Sequence, residues 1–251
     1  MLKILGCAFG VLLVALFAMP AFADSITIFG SETNPESGSL LQAQAVVSYD
    51  GNGTLTVVLA NVDDVALKPS DLLTALFFSV SGGYMLAPVS AVLTSGSAVL
   101  NGPDGGGNVG GEWAYGDGLV GAPNGATSGI SSSGFGLFGT ANFNGVNLAG
   151  PVAVDGMNYG IDYGIGPGSN NAVLSNPTIS NSVTFNLSVA DDYAGFSLAN
   201  LSNWSFQYGT ALDEPNFPPD EPGIPVPEPA TWSIVGIGML GLFAGRFRNK
   251  L

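Results

Sequence analysis

The sequence predicts an all-β body with Gly-rich loops, an antiparallel β-sandwich or jelly-roll-like fold, flanked by an apolar helix at each end. Short runs in which apolar and polar residues alternate are separated by clusters of Gly, Asn and Asp. Residues 24–212 also lack any sustained 3.6-residue periodicity. Short alternating strands joined by such turns are typical of antiparallel sandwiches and jelly rolls.

The clearest element is a β-hairpin near the start of the body. Residues 43–49 and 54–59 alternate between apolar and polar side chains, and they flank Asp50-Gly51-Asn52-Gly53. Asp-Gly and Asn-Gly pairs supply the positive φ angles that tight hairpin turns require. Two paired strands are therefore predicted here.

Further strands are predicted later in the body. Residues 183–189 and 204–208 each alternate apolar with polar positions, as in a strand with one buried face. Residues 72–80 form a continuous apolar run that fits either a buried strand or a short helix after Pro69-Ser70. The adjacent phenylalanines and the following Ser-Gly-Gly favour a strand.

A Gly-rich stretch lies in the middle of the body, with 21 glycines among residues 102–168. Low-complexity linker is one interpretation. Aromatic residues are interleaved with the glycines, and an aromatic ring beside Gly suits bulges and turns where the ring covers backbone. We therefore expect a folded sheet with long loops.

Charge and composition exclude several classes of function. The chain has 251 residues, no His, one Cys and a net charge of −14. Without His, Ser-His-Asp and Cys-His catalysis and His-ligated zinc are excluded. The acidic balance argues against a nucleic-acid partner, which requires a basic face. Between Asp24 and Glu228 there is one cation, Lys68, against 19 acids, a formal charge of −18.

The N-terminus has the layout of a secretory signal peptide at residues 1–23. Lys3 precedes an apolar run, and Ala21-Phe22-Ala23 forms a small-residue cleavage site before Asp24. We therefore predict that the Sec machinery exports the chain and that signal peptidase cleaves it. The exported chain would then contain no Cys, because Cys7 lies in the removed segment.

The C-terminus combines three features in order. Pro227-Glu228-Pro229 is followed by an apolar run at 230–245 and by a tail at 246–251 that contains Arg246, Arg248 and Lys250. The run would span about 24 Å as a helix, against a hydrocarbon core of about 30 Å. It can cross a membrane with local thinning, and the basic tail would stay cytoplasmic.

This arrangement resembles the PEP-CTERM sorting signal, over residues 226–251. The resemblance implies that an integral-membrane exosortase recognises the motif and removes the tail. It also implies a Gram-negative-type bacterium, passage through the inner membrane, and a final place at the cell surface, in the outer envelope or in an extracellular matrix. Exopolysaccharide is the further partner that it implies.

A Pro- and acid-rich segment at 213–225 is predicted to link the body, 24–212, to the sorting signal. Its composition favours an extended, solvated chain. Three blocks of the body are also similar to a group of exosortase-dependent surface proteins, which implies no catalytic residues. The blocks lie at 113–116, 159–161 and 206–215.

A catalytic site would have to use carboxylates, a Ser-Lys pair or a metal. Lys68-Pro69-Ser70 is the one Ser-Lys pairing close in sequence, and a polar turn before a strand is its simpler interpretation. We expect no enzyme, and a carboxylate-dependent glycosidase remains the alternative. The acids that could supply its pair are Asp63, Asp64, Glu112, Asp117, Asp155, Asp162, Asp191 and Asp192.

No cofactor is expected, although the loops at 101–105 and 155–158 offer oxygen ligands suited to Ca²⁺. Solvated loop acids are the more common explanation.

Four N-x-[ST] sequons are candidate glycosylation sites: Asn52, Asn186, Asn200 and Asn203. Four aromatic residues that look exposed are candidate glycan contacts: Trp113, Tyr115, Tyr159 and Tyr163.

These features together predict an exported, exosortase-processed envelope protein with a structural or adhesive role in exopolysaccharide or biofilm. An extracellular carbohydrate-binding module is the alternative that the aromatic residues favour.

Overall fold

Alternating sequence and Gly-rich turns produce two β-sheets in the computed structural model. The structure describes residues 24–62, 65–102, 105–138, 146–148, 160–162, 169–190, 194–220 and 226–227. The strands are β1 Asp24–Thr33, β2 Leu40–Tyr49, β3 Thr54–Asn61, β4 Leu73–Val80, β5 Leu86–Leu93, β6 Val99–Leu100, β7 Ala114–Asp117, β8 Ser128–Ser131, β9 Val146–Asn147, β10 Ile161–Asp162, β11 Thr178–Ser180, β12 Ser182–Val189, β13 Leu201–Tyr208, β14 Asn216–Phe217 and β15 Val226–Pro227.

The helices among the described residues are short. One α-helix, α1, spans Asn171–Leu174, and its N-cap Asn170 accepts hydrogen bonds from the N–H groups of Ala172 and Val173. The 3₁₀ turns are Pro69–Asp71, Gly105–Gly107, Pro123–Gly125 and Leu198–Asn200. The expected all-β class is therefore confirmed.

The first sheet contains six strands in the order β15-β1-β2-β3-β12-β5, all antiparallel. The predicted hairpin is its centre, since β2 and β3 pair from Ala43 opposite Asn61 to Tyr49 opposite Leu55. In β2, β3 and β12, buried positions alternate with half-exposed ones. The period-2 pattern of the sequence is thus realised as one buried and one open face.

The second sheet is less regular. Its order is β6-β11-β10-β4-β8-β7-β9, with β13 pairing both β4 and β14. Strand β10 runs parallel to β11, so the expectation of a purely antiparallel fold is wrong at that pair. This order does not establish a jelly-roll topology. The run at 72–80 is a strand, as predicted, with nearly every residue of β4 buried.

Both sheets contribute to one hydrophobic core, which fits a β-sandwich. Strand β4 supplies Leu76 and Phe78, and β12 supplies Phe185 and Leu187. A second, smaller cluster covers the opposite face of β4. It consists of Ala75, Phe77, Ala114, Ala122, Ala126 and Phe138, with Leu119, Phe135 and Leu137 packed against it.

The Gly-rich stretch is folded over its described residues 105–138. A Cβ atom at Gly116 would lie 2.9 Å from the Phe138 ring, and one at Gly129 would lie 2.8 Å from the Phe77 ring. These glycines leave room for aromatic rings to lie directly on strands β7 and β8. The expected covering of Gly backbone by rings is confirmed here.

Candidate functional site

The residues after β13 fold back onto the body. In β14, Phe217 pairs with Phe206 and is 5% exposed. Its ring lies 6.0 Å from that of Phe206 and stacks at 5.6 Å on Tyr208. The Asn216 side chain also donates to the Phe206 carbonyl and accepts from the Ser205 hydroxyl. Apolar burial and polar contacts together anchor this segment to β13.

The chain then crosses to the free edge of β1. The Asp220 N–H donates to the Phe29 carbonyl at 2.9 Å, and the Ser31 hydroxyl donates to the Asp220 carboxylate at 3.1 Å. A Cβ atom at Gly30 would lie 3.0 Å from both the Phe217 ring and the Pro218 carbonyl oxygen. Glycine at position 30 is what allows the approach.

Strand β15 continues the coverage at the beginning of β1. Val226 lies opposite Ser25, and Pro227 lies opposite Asp24, in an antiparallel pairing. Asp24 is the residue predicted to follow the signal-peptide cleavage site, and Pro227 is the first residue of the Pro-Glu-Pro motif. The two predicted processing sites therefore begin side by side on one sheet edge.

These contacts correct the predicted domain boundary. The segment 213–225 was expected to be a solvated linker, but its described residues 213–220 pack on the body through Phe217 and Asp220. Composition misses the burial of the Phe217 ring. The folded body therefore extends at least to Asp220 rather than ending at 212.

Two of the four predicted glycan-contact residues are buried, so their assignment as exposed rings is wrong. Trp113 is 0% exposed and makes an edge contact with Phe185 at 4.8 Å, in the core between the sheets. Tyr115 is 6% exposed, lies against Phe78, and has a hydroxyl whose pKa burial raises. Tyr159 and Tyr163 lie outside the described residues.

The candidate acids have different surroundings. Glu112 and Asp162 are buried, and the Ala66 N–H donates to Asp162 at 3.0 Å. Asp117 is exposed and accepts a hydrogen bond from Ser128 at 2.8 Å. Among the residues that the structure describes, no group of three or more Asp, Glu, Cys or His could hold a metal ion. The other acids of the predicted set lie outside the described residues: Asp63, Asp64, Asp155, Asp191 and Asp192. Asp104 and the loop at 155–158, which were candidate Ca²⁺ ligands, also lie outside them.

Lys68 and Ser70 are both engaged by Glu36. The Lys68 ammonium lies 2.8 Å from one carboxylate oxygen, and the Ser70 hydroxyl donates to the other at 2.8 Å. These contacts lower the pKa of Glu36. The predicted polar turn before a strand is confirmed as the 3₁₀ turn Pro69–Asp71, and Glu36 lies between the charge of Lys68 and the serine hydroxyl.

Asp71, in the same turn, is a buried structural carboxylate. It is 2% exposed, and its oxygens accept from the side chains of Asn34, Ser37 and Ser39. The N–H groups of Leu67 and Lys68 also donate to it, each at 3.0 Å. Five donors satisfy this buried charge, and they tie the β1–β2 connection to the start of β4.

The four sequons differ in accessibility. Asn52 and Asn203 are exposed. The Asn186 side chain is held on both sides, because it accepts from Thr56 and donates to Ser90. Asn200 accepts from the Ser197 N–H at the turn before β13. The structure thus leaves Asn52 and Asn203 more open than the other two.

The predicted signal peptide and most of the predicted sorting signal lie outside the described residues. The undescribed residues are 1–23, with Ala21 and Ala23, and 228–251, with Glu228, Pro229, the run at 230–245, Arg246, Arg248 and Lys250. Within the described ranges, no helix has the length and apolar character to cross a membrane.

Comparison with protein families identifies a PEP-CTERM protein-sorting motif at residues 225–249. The match confirms the resemblance, and it indicates that exosortase sorts the protein to the cell surface in bacteria. Searches among curated proteins and among solved structures yield no match.

Proposed function

We propose that this chain is a structural or adhesive component of the bacterial envelope or of an exopolysaccharide matrix. The observation that carries the proposal is the sorting motif at 225–249, joined to a folded β-rich body. Signal peptidase would cleave after Ala23, and exosortase would recognise Pro227-Glu228-Pro229 and remove the apolar and basic tail. The proposal assigns no catalytic step and no cofactor to the body.

The charge distribution of the exported chain supports this role. Lys68, the single cation between Asp24 and Glu228, is paired with Glu36. A strongly acidic surface resists self-association and supports solubility outside the cell.

The test replaces Pro227, Glu228 and Pro229 with alanine and follows the mass of the protein and its surface location. We expect the tail to be retained and the protein to accumulate in the membrane fraction. The matched control replaces Glu221, Pro222 and Gly223, which precede the motif, and should be processed normally. Normal tail removal in the motif variant would contradict the sorting role.

Carbohydrate binding is the second candidate, and the outer face of the first sheet favours it. None of the outward positions of β2, β3 and β12 carries a charged residue, although the body is strongly acidic. Hydroxyl and amide groups predominate there: Gln42, Gln44, Ser48, Thr54, Thr56, Thr184, Asn186 and Ser188. A neutral face with such groups suits hydrogen bonding to a hydroxyl-rich polymer without charge repulsion.

Binding of the exported protein to exopolysaccharide from the producing cells tests this second candidate. We expect Thr56→Glu combined with Thr184→Glu to weaken binding, because the two carboxylates would be placed on the neutral face. Val120→Glu is the matched control, since Val120 is 87% exposed and lies between β7 and β8 of the second sheet. Equal loss in both variants, or no binding by the wild type, would argue against the face as a glycan site.

A further inference from the structure

The beginning of β1 and the sorting motif form one short antiparallel pair. Asp24 is opposite Pro227, and Ser25 is opposite Val226. In an antiparallel pair, the residue before Asp24 and the residue after Pro227 attach at the same end. The segments at 1–23 and 228–251 are therefore both joined to the body at one corner of the first sheet.

The hydrogen-bonding direction of β1 can be read from its neighbours. The Phe29 carbonyl accepts from Asp220 at the free edge, so odd-numbered residues of β1 direct their backbone groups to that edge. On the other side, the Gln42 carbonyl accepts from Val62, so odd-numbered residues of β2 face β1. The odd-numbered residues of β2 lie opposite even-numbered residues of β1, such as Val47 opposite Ile26. Both contacts therefore show that even-numbered residues of β1 direct their backbone groups to β2 and odd-numbered residues direct theirs to the other edge.

This alternation places the backbone hydrogen-bonding groups of Ser25 toward Val226. Ser25 directs its N–H and carbonyl to the free edge, where Val226 lies. Val226 is the one residue of 225–227 with an N–H, because Pro225 and Pro227 have none. Pro227 lies opposite Asp24, whose backbone groups face β2, so its missing N–H costs no hydrogen bond. The Pro-Val-Pro sequence thus fits this edge in this register.

We propose that the start of β1 is a docking strand for the sorting segment, which holds the Pro-Glu-Pro motif at the corner where the chain meets the membrane. The contacts of Phe217 with β13 and of Asp220 with Phe29 bring the segment to the same edge. The pairing presents the motif to exosortase at a fixed place beside the signal-peptide junction. This inference rests on the proposed sorting function and assigns Ser25 and Val226 as positioning residues.

A disulfide experiment tests the docking itself. Ser25→Cys and Val226→Cys would place two thiols on a directly paired position, where Cα atoms lie about 5.5 Å apart, within disulfide range. The predicted exported chain has no other thiol. We expect a disulfide in the exported chain that has lost its signal peptide and retains its C-terminal tail, produced in cells that lack exosortase and detected by mass spectrometry of linked peptides.

The matched control combines Ser48→Cys with Val226→Cys. Ser48 lies opposite Ser25 on the far side of β1, so two strand spacings of about 4.8 Å separate it from Val226. We expect no disulfide in this pair. Equal yields from the two pairs, or none from Ser25 and Val226, would overturn the docking.

A processing experiment tests the consequence. Ser25→Pro removes the N–H directed at Val226 and leaves the hydrogen bonds of β1 with β2 in place. Losing about one backbone hydrogen bond should lower the equilibrium constant for docking about fivefold. We expect correspondingly slower tail removal, measured by pulse-chase, whereas Ser25→Ala retains the N–H and should restore the rate. N-terminal sequencing confirms signal cleavage, and thermal unfolding confirms that the body is folded.

The outcomes separate this inference from the sorting function. If alanine replacement of the motif blocks tail removal while Ser25→Pro is processed at the rate of Ser25→Ala, sorting stands and the positioning role is wrong. If motif replacement leaves tail removal intact, the sorting function fails whatever the disulfide shows. Faster processing of Ser25→Pro would also overturn the proposal, because docking would then hinder exosortase.

Discussion

The two sheets share a core but differ in what covers their outer faces. On the first sheet, outward residues of β2, β3 and β12 are half-exposed, and most carry hydroxyl or amide groups. On the second sheet, the outer face of β4 is buried under residues 119–126 and 135–138, where Phe138 packs against Phe77. The first sheet therefore has one buried face, whereas β4 in the second sheet is buried on both faces.

This difference accounts for the two kinds of sequence in the body. A strand with one buried face needs alternating side chains, as in β12, whereas β4 is apolar on both faces. The glycines of β7 and β8 also belong to the doubly covered region, because a ring can lie close to a strand only where a Cβ is absent. Within the described part of the Gly-rich stretch, residues 119–126 and 135–138 thus form a layer over β4, while β7 and β8 extend the second sheet.

The largest expected effect comes from removing the ring of β4 on which that layer packs. Phe77 is 0% exposed and lies 6.0 Å from the rings of both Phe135 and Phe138. Because Phe77→Ala would leave a cavity, we expect the free energy of unfolding to fall by about 3–5 kcal/mol. Chemical denaturation of the exported protein measures this loss.

The control lies on the open face of the first sheet. Val58 points outward from β3 and is half-exposed. Val58→Thr keeps the shape of the side chain, so we expect a change within about 0.5 kcal/mol. Similar losses in the two variants would show that the outer faces are not different in the way described.

A smaller effect should follow from filling the space at Gly116. A Cβ there would lie 2.9 Å from the Phe138 ring and 3.0 Å from Leu119. Gly116→Ala should therefore cost about 1–3 kcal/mol through overpacking. In a double-mutant cycle, Phe138→Leu should reduce that cost, because the smaller side chain frees the space. Additive losses would mean that the ring does not restrict position 116.

The sequence predicts the first sheet better than the second for a physical reason. Alternation in β2, β3 and β12 records burial directly, and the Asp50–Gly53 turn fixes the pairing of β2 with β3. By contrast, Trp113 and Tyr115 look like exposed rings among glycines. Their burial depends on Phe185 and Phe78, which are distant in sequence, so local pattern carries no signal of it.

The sequence predicts the sorting motif but not its pairing with the edge of β1. Pro227, Glu228 and Pro229 are recognisable from sequence because order and spacing carry the signal. The docking edge depends on Asp220 contacting Phe29 and on Val226 pairing with Ser25. Phe217 was the available clue, since a solvated proline-rich linker has no reason to include a large aromatic ring.

The smallest expected effect concerns the regular sheet, whose hairpin turn is stabilised locally. Asp50 accepts from the N–H groups of Asn52 at 2.7 Å and Thr54 at 2.8 Å. Burial alone would raise the pKa of Asp50, but these hydrogen bonds outweigh it and lower the pKa. A lowered pKa means that the stabilisation is present above the unfolded value of about 3.9 and is lost as the pH falls through the folded value.

Asp50→Asn should therefore reduce stability by less than about 1 kcal/mol near pH 7, since the turn is largely exposed. The difference from the wild type should shrink as the pH falls below about 3.9 and disappear only below the lowered pKa of folded Asp50, where both side chains are neutral. Denaturation of both proteins across this range measures the change. An undiminished difference at low pH would show that the carboxylate charge does not stabilise the turn. The order of the three effects then follows from burial: a double-covered face is most sensitive to change, and an exposed turn is least sensitive.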